Sequence, residues 1–204
     1  MTHPEDRAPG TAGALTAGAR WLSSVVVLPA GLLLAVLFLD EAARSRYWPL
    51  LIVGLLDEPA HLATALLCLL AFLPGRHRGL LPWALAGSVL IDADHIPLYA
   101  WHVLADAGGG RPVTHSLATA VVLGVAGTLA GLLPRQRLRD PLFGLALGVL
   151  LHLFRDLFTG PGVPLFWPVD PRVLLFPYRT YVLALVALTA VAVVHQARVH
   201  RWEG

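Results

Sequence analysis

Residues His152 to Pro168 read HLFRDLFTGPGVPLFWP, which sets an imidazole, a guanidinium and a carboxylate at the end of a strongly apolar run. His152 and Asp156 stand four apart, so on a helix they share one face and can converge on a single ion or substrate group. The run before them, Pro141 to Leu151, contains no charge. Burying His, Arg and Asp together in a bilayer is costly, and such a group is retained for function, with partners elsewhere in the chain. Arg155 has two readings: it snorkels to the headgroups, or beside Asp156 it binds a substrate phosphate.

The partners are found in three other places. Asp92-Ala93-Asp94-His95 is a compact set of hard oxygen and borderline nitrogen donors. Asp92 and His95 share a helical face, and Asp94 joins them if the helix ends there, as Pro97 suggests. His61 follows Asp57 and Glu58, and His115 lies between Thr114 and Ser116. His61, Asp92, Asp94, His95, His115, His152 and Asp156 together make a mixed His/carboxylate shell. Such a shell suits a divalent metal ion, zinc first, with manganese, iron or magnesium as alternatives, and it has carboxylates enough for a pair of ions. Asp57 and Glu58 are candidate general bases, or a first-turn acidic cap if a helix begins at Pro59. Thr114 and Ser116 are equally read as capping residues. His3, His77, His195 and His200 fall in tails or loops and read as solvated, while His102 is ambiguous. The single cysteine, Cys68, sits in an apolar run, which excludes an intrachain disulfide and a thiolate metal site.

These residues must be positioned by membrane helices. Of the 204 residues 56% are hydrophobic and 14% charged, with a mean hydropathy of +0.67. A soluble domain would carry about a quarter charged residues. All 15 basic residues are Arg, and no dense basic stripe interleaves with aromatics, so nucleic acid is excluded as a partner. The expected fold is all-α, a polytopic membrane helix bundle of about six transmembrane helices. Residues 1–20 form a flexible tail, 21–199 the single transmembrane domain and 200–204 a C-terminal tail. The apolar segments are Trp21–Leu39, with a kink expected at Pro29, then Tyr47–Leu73, Leu80–Leu104, His115–Leu133, Pro141–Thr159 and Tyr181–His195. Arg7, Arg20, Arg76, Arg78, Arg135, Arg137, Arg139, Arg198 and Arg201 fall inside and Arg44, Arg46, Arg111, Arg172 and Arg179 outside if both termini are cytoplasmic, which the positive-inside bias favours. Five of the six Trp residues fall near span ends. On this topology all four polar groups lie toward the outer leaflet, an agreement the choice of residues did not assume. Gly160 to Tyr178 carries five prolines, which exclude a continuous helix. It reads as an interfacial loop at 160–178, either a lid over the polar cluster or a plain connector.

The order Asp-x-Asp-His, Thr-His-Ser, then His-x3-Asp-x2-Thr followed by Gly-Val-Pro-Leu-x-Trp-Pro resembles the bacterial inner-membrane metal-dependent hydrolases, the LexA-regulated membrane hydrolase family. Here these are Asp92, Asp94 and His95; Thr114, His115 and Ser116; His152, Asp156 and Thr159; and Gly162 to Pro168. Glu58 and His61 match a further acidic residue and His early in the family's sequence. The resemblance covers roughly Asp57 to Pro168. Two departures stand out: Gly110 precedes Arg111 where the family usually has His, and a whole span precedes the Glu-x2-His element. The resemblance implies a metal site and hydrolysis in the bacterial inner membrane. With the residues it gives the expectation of a hydrolase for a lipid-like ester or phosphoester entering from the bilayer, with a metal-activated water, Glu58 or Asp57 as base and Arg155 positioning the substrate. Two other readings use the same residues. A metal or proton transporter would need polar residues continuing to the inner face, and spans four and six are apolar there. An isoprenoid-diphosphate enzyme with magnesium on Asp92, Asp94 and Asp156 leaves the imidazoles without a role. Oligomeric state is open.

Overall fold

The protein is described by a computed structural model that covers residues 23–96, 111–132 and 136–202. The described residues are all-helical. Six α-helices follow in order: α1 (Leu28–Arg44), α2 (Leu50–Phe72), α3 (Leu81–Leu90), α4 (Leu117–Leu132), α5 (Arg139–Asp156) and α6 (Tyr178–Trp202). A π-helical turn at Ser23–Val27 leads into α1, and 3₁₀ turns occupy Gly75–Leu80, Ile91–Asp94 and Gln136–Leu138. The expected tails at 1–20 and 203–204, the end of the third apolar segment with Trp101 and His102, and Gly110 lie outside the described residues.

Among the described residues three stretches are long and apolar enough to cross a membrane: Val25–Arg44, Leu51–Phe72 and Tyr178–Val199. The other three helices are shorter or more polar. α4 is apolar over 16 residues, and α5 carries Asp140 in its first turn and Arg155 in its last. α3 has 10 residues, and at about 1.5 Å per residue it is far shorter than the ~30 Å hydrocarbon core before the Ile91–Asp94 turn extends it.

The helix limits differ from the sequence expectation in ways that matter. α1 runs to Arg44, so Asp40 is a buried residue on the helix rather than a flanking charge. Pro29 lies in the first turn of α1, where the helix changes from the π-helical turn at Ser23–Val27 to α geometry. α2 begins at Leu50 and contains Pro59 in its interior, so Asp57 lies two turns inside and the first-turn cap reading is corrected. α6 continues through residues 200–202, which the sequence assigned to a tail.

α1, α2 and α6 pack through Val36, Leu67, Ala71, Tyr181, Leu185 and Ala192. A second core joins α4 and α5 through Ala120, Val149 and Leu153. Val163, from the loop after α5, is fully buried in it. Burial between membrane helices gains from close packing, because lipid is as apolar as the side chains, so small residues mark the tightest contacts. The α3–α5 contact shows this. A Cβ on Gly148 would stand against the Ala84 carbonyl oxygen and 2.7 Å from both Gly87 Cα and Ser88 N, and a Cβ on Gly87 would meet the Leu145 carbonyl oxygen at 2.6 Å. Only hydrogen at both positions lets the two backbones meet.

The proline-rich loop is held by backbone bonds. Val163 and Leu174 exchange N–H···O bonds of 3.0 and 2.8 Å, Leu117 N donates to Leu165 O at 2.9 Å, and Phe176 N donates to Leu157 O at 2.7 Å. Gly160 and Gly162 take positive φ, 61° and 84°. While Val163 faces the core, Phe166, Trp167, Val169, Leu175 and Phe176 are exposed, an apolar outer face suited to the membrane interface.

Candidate metal centre

The glycine contact between α3 and α5 builds the site's first fixed point. His152 lies one turn beyond Gly148, and its Nδ1 is 2.9 Å from the backbone carbonyl of Ser88, the neighbour of Gly87. That carbonyl belongs to the last turn of α3, where the helix tightens into the 3₁₀ turn Ile91–Asp94. A carbonyl only accepts, so Nδ1 carries the proton, and in the neutral ring Nε2 presents a lone pair. Around that lone pair stand Asp156 Oδ2 at 2.9 Å and Asp92 Oδ1 at 3.5 Å. Acceptor faces acceptor, an arrangement that asks for a cation among them.

The other donors close in from α2, the turn after α3 and the segment before α4. α2 supplies His61, whose ring stacks on His152 at 3.8 Å between centroids, with Nε2 3.3 Å from Asp156 Oδ1 and 3.6 Å from Asp57 Oδ2. Asp92, Asp94 and His95 come from the 3₁₀ turn that ends α3 and the residue after it. His95 Nδ1 is 3.2 Å from both carboxylates. His115, just before α4, places Nε2 2.9 Å from Asp92 Oδ1 and Nδ1 3.2 Å from Asp94 Oδ2. Thr114 donates its hydroxyl to Asp94 Oδ2, so it orients a site carboxylate rather than capping α4. Ser116 is buried, its hydroxyl oxygen making no hydrogen bond.

All seven expected metal ligands are thus brought together. Three overlapping sets have their ligand atoms within 4.8 Å of one another: Asp92, Asp94, His95 and His115; His61, Asp92 and His152; and His115, His152 and Asp156. His61 Nε2, His115 Nδ1, His152 Nε2 and both oxygens of Asp156 are buried and lack an aligned hydrogen bond despite these short distances. Donor atoms that converge without satisfying one another fit a metal ion in chemistry as well as in number. His61, His115, His152 and Asp156 are closed off, 1% exposed or less. Asp92 and Asp94 at 14%, His95 at 24% and Asp57 at 30% side-chain exposure form the open rim. Glu58 lies beside Asp92, half-buried, with Oε2 lacking a hydrogen-bond partner.

Two guanidiniums brace the carboxylates. Arg155 is 2% exposed; its Nη1 is 2.5 Å from Asp57 Oδ1 and its Nη2 2.6 Å from Asp40 Oδ1. It does not snorkel to a headgroup: it holds Asp57 beside His61. Tyr178 at the start of α6 donates its hydroxyl to Asp40 Oδ2 at 2.8 Å. Arg111 is buried with Nη1 2.6 Å from Asp156 Oδ2, so it belongs to the cluster. A Cβ on Gly160 would come within 2.9 Å of Arg111 Nη2, which ties the proline-rich loop to the centre. Sequence reasoning missed Asp40, Ser88, Arg111 and Tyr178. Asp40 and Arg111 carried one available signal, a charge at the border of an apolar run.

Fold and centre together define a helical membrane protein with a buried histidine and carboxylate cluster. The chain belongs to the YdjM inner membrane protein family, whose pattern matches residues 56–203. That membership assigns it to inner-membrane proteins, and it leaves α1, with Asp40, in front of the matching region. No curated protein and no solved structure matches the chain.

Proposed function

We propose that the protein is a multi-pass inner-membrane, metal-dependent hydrolase acting on a lipid-like ester or phosphoester. The observation that carries this reading is the lone pair of His152 Nε2, fixed by the Ser88 carbonyl and aimed at two carboxylates. A ring held in one tautomer by a backbone carbonyl is the usual outer support of a metal-binding imidazole. His61, Asp92 and His152, with His115 and Asp156 adjoining, would hold the ion. When bound, a divalent ion there would polarise the scissile group and favour ionisation of a nearby water.

The chain's own residues would do the rest. Glu58, at the rim beside Asp92 and with a free carboxylate oxygen, is placed to take a proton from an incoming water. Asp57 is held by Arg155 and serves to orient His61. Arg111 fixes Asp156 and, under Gly160, forms part of the site's roof. The apolar outer face of the loop supports entry of an amphiphilic substrate from the bilayer. The reading includes six crossings with both ends cytoplasmic and the centre toward the outer leaflet. Supporting this, six of the seven donors lie at the C-terminal ends of α3 and α5 and before the N-terminus of α4, one end of the bundle, and His61 lies midway along α2.

The test is a panel of lipid esters and phosphoesters incubated with the detergent-purified protein, with and without chelator. Metal-dependent cleavage that disappears in His152→Ala and Asp92→Ala is expected. Metal uptake into proteoliposomes that depends on those residues, with no substrate cleaved, would replace hydrolysis by transport.

A further inference from the structure

The cluster has two overlapping donor sets. The deep set is His61, Asp92 and His152, with Asp156 adjoining, and His61, His152 and Asp156 are all but closed to solvent. The rim set is Asp92, Asp94, His95 and the buried His115, and it opens through Asp92, Asp94 and His95. Asp92 belongs to both: its Oδ1 is 2.9 Å from His115 Nε2, 3.2 Å from His95 Nδ1 and 3.5 Å from His152 Nε2. We infer that the rim set binds a second divalent cation, with Asp92 bridging it to the ion of the deep set.

Two observations carry this. With Asp92 shared, the rim set offers four ligand residues whose donor atoms lie within 4.8 Å of one another, the number a closed N/O site takes. His115, fully buried, has no hydrogen bond at Nδ1 although Asp94 Oδ2 stands 3.2 Å away, and Asp94 Oδ1 is likewise unbonded. Thr114 fixes Asp94 from outside the set, as outer partners do for a ligating carboxylate.

This inference rests on the reading of the cluster as a metal centre, and the test separates the two. The full-length chain, purified in detergent and stripped with chelator, is reloaded with zinc for counting by elemental analysis and with manganese for electron paramagnetic resonance. Two zinc ions per chain and an exchange-coupled manganese spectrum are expected. His95→Ala and, as the more conservative change, Asp94→Asn should each halve the count to one and convert the spectrum to that of an isolated ion. One ion per chain in the unmodified protein, or two retained in both variants, overturns the second site and leaves the metal centre standing. No bound ion overturns both.

Discussion

Replacing Gly148 by Ala tests whether a helix contact remote from any ligand controls the centre. The added Cβ would lie 2.7 Å from Gly87 Cα and Ser88 N, and closer still to the Ala84 carbonyl oxygen. All three are backbone atoms, so no rotamer change relieves the clash. Restoring an ordinary contact of about 3.4 Å means separating α3 from α5 by at least ~0.7 Å, an overpacking that costs about 1–3 kcal/mol. The same shift would stretch the His152 Nδ1 to Ser88 O bond from 2.9 Å to about 3.6 Å, beyond useful hydrogen-bond length. His152 then loses its fixed tautomer and orientation, and loss of such an outer partner weakens metal binding by about 10–100-fold. The assay is a competitive zinc titration in detergent beside thermal unfolding, with Gly124→Ala as control, because a Cβ at Gly124 meets nothing within 4 Å. Metal affinity in Gly148→Ala equal to that of the control would refute the chain from glycine contact to imidazole.

Three other outcomes are expected. Asp40→Ala removes one of the two carboxylates on buried Arg155 and the acceptor of Tyr178, so unfolding in detergent should show a loss of about 3 kcal/mol; the double variant with Arg155→Ala should lose less than the sum of the single variants, and strict additivity would deny the pairing. Gly160→Ala places a side chain at φ 61° against Arg111 and should cost about 1–3 kcal/mol, with Gly160→Asn closer to the original because Asn tolerates that conformation; equal stability of all three proteins would contradict the bracing of Arg111 by the loop. Reporter fusions after Arg78 and after Arg172 should report the cytoplasm and the exterior respectively, and the reverse pattern would overturn the outer-leaflet placement.

The clustered donors were legible in the sequence because each is a polar group that an apolar segment has no reason to carry. His61, Asp92, Asp94, His95, His115, His152 and Asp156 stand out against their runs, and the four-residue spacing of His152 and Asp156 is enough by itself to put them on one helical face. What the sequence hid were partners whose role depends on depth. Asp40 and Arg111 sit at the edges of apolar runs, where a charge ordinarily meets headgroups or water, and a one-turn extension of α1 or a loop folded inward changes that meaning completely. Arg155 illustrates the same limit from the other side: its type suited substrate phosphate, and only the positions of Asp40 and Asp57 on two other helices show its charge already engaged. Ser88 gave no signal at all, since it acts through a backbone carbonyl that every residue possesses. Yet Gly87 and Gly148, which bring that carbonyl to His152, are plain in the sequence as small residues within apolar helices. Gly148, one turn before His152 on the same helix, therefore marks where a neighbouring backbone approaches closely enough to set that imidazole's tautomer.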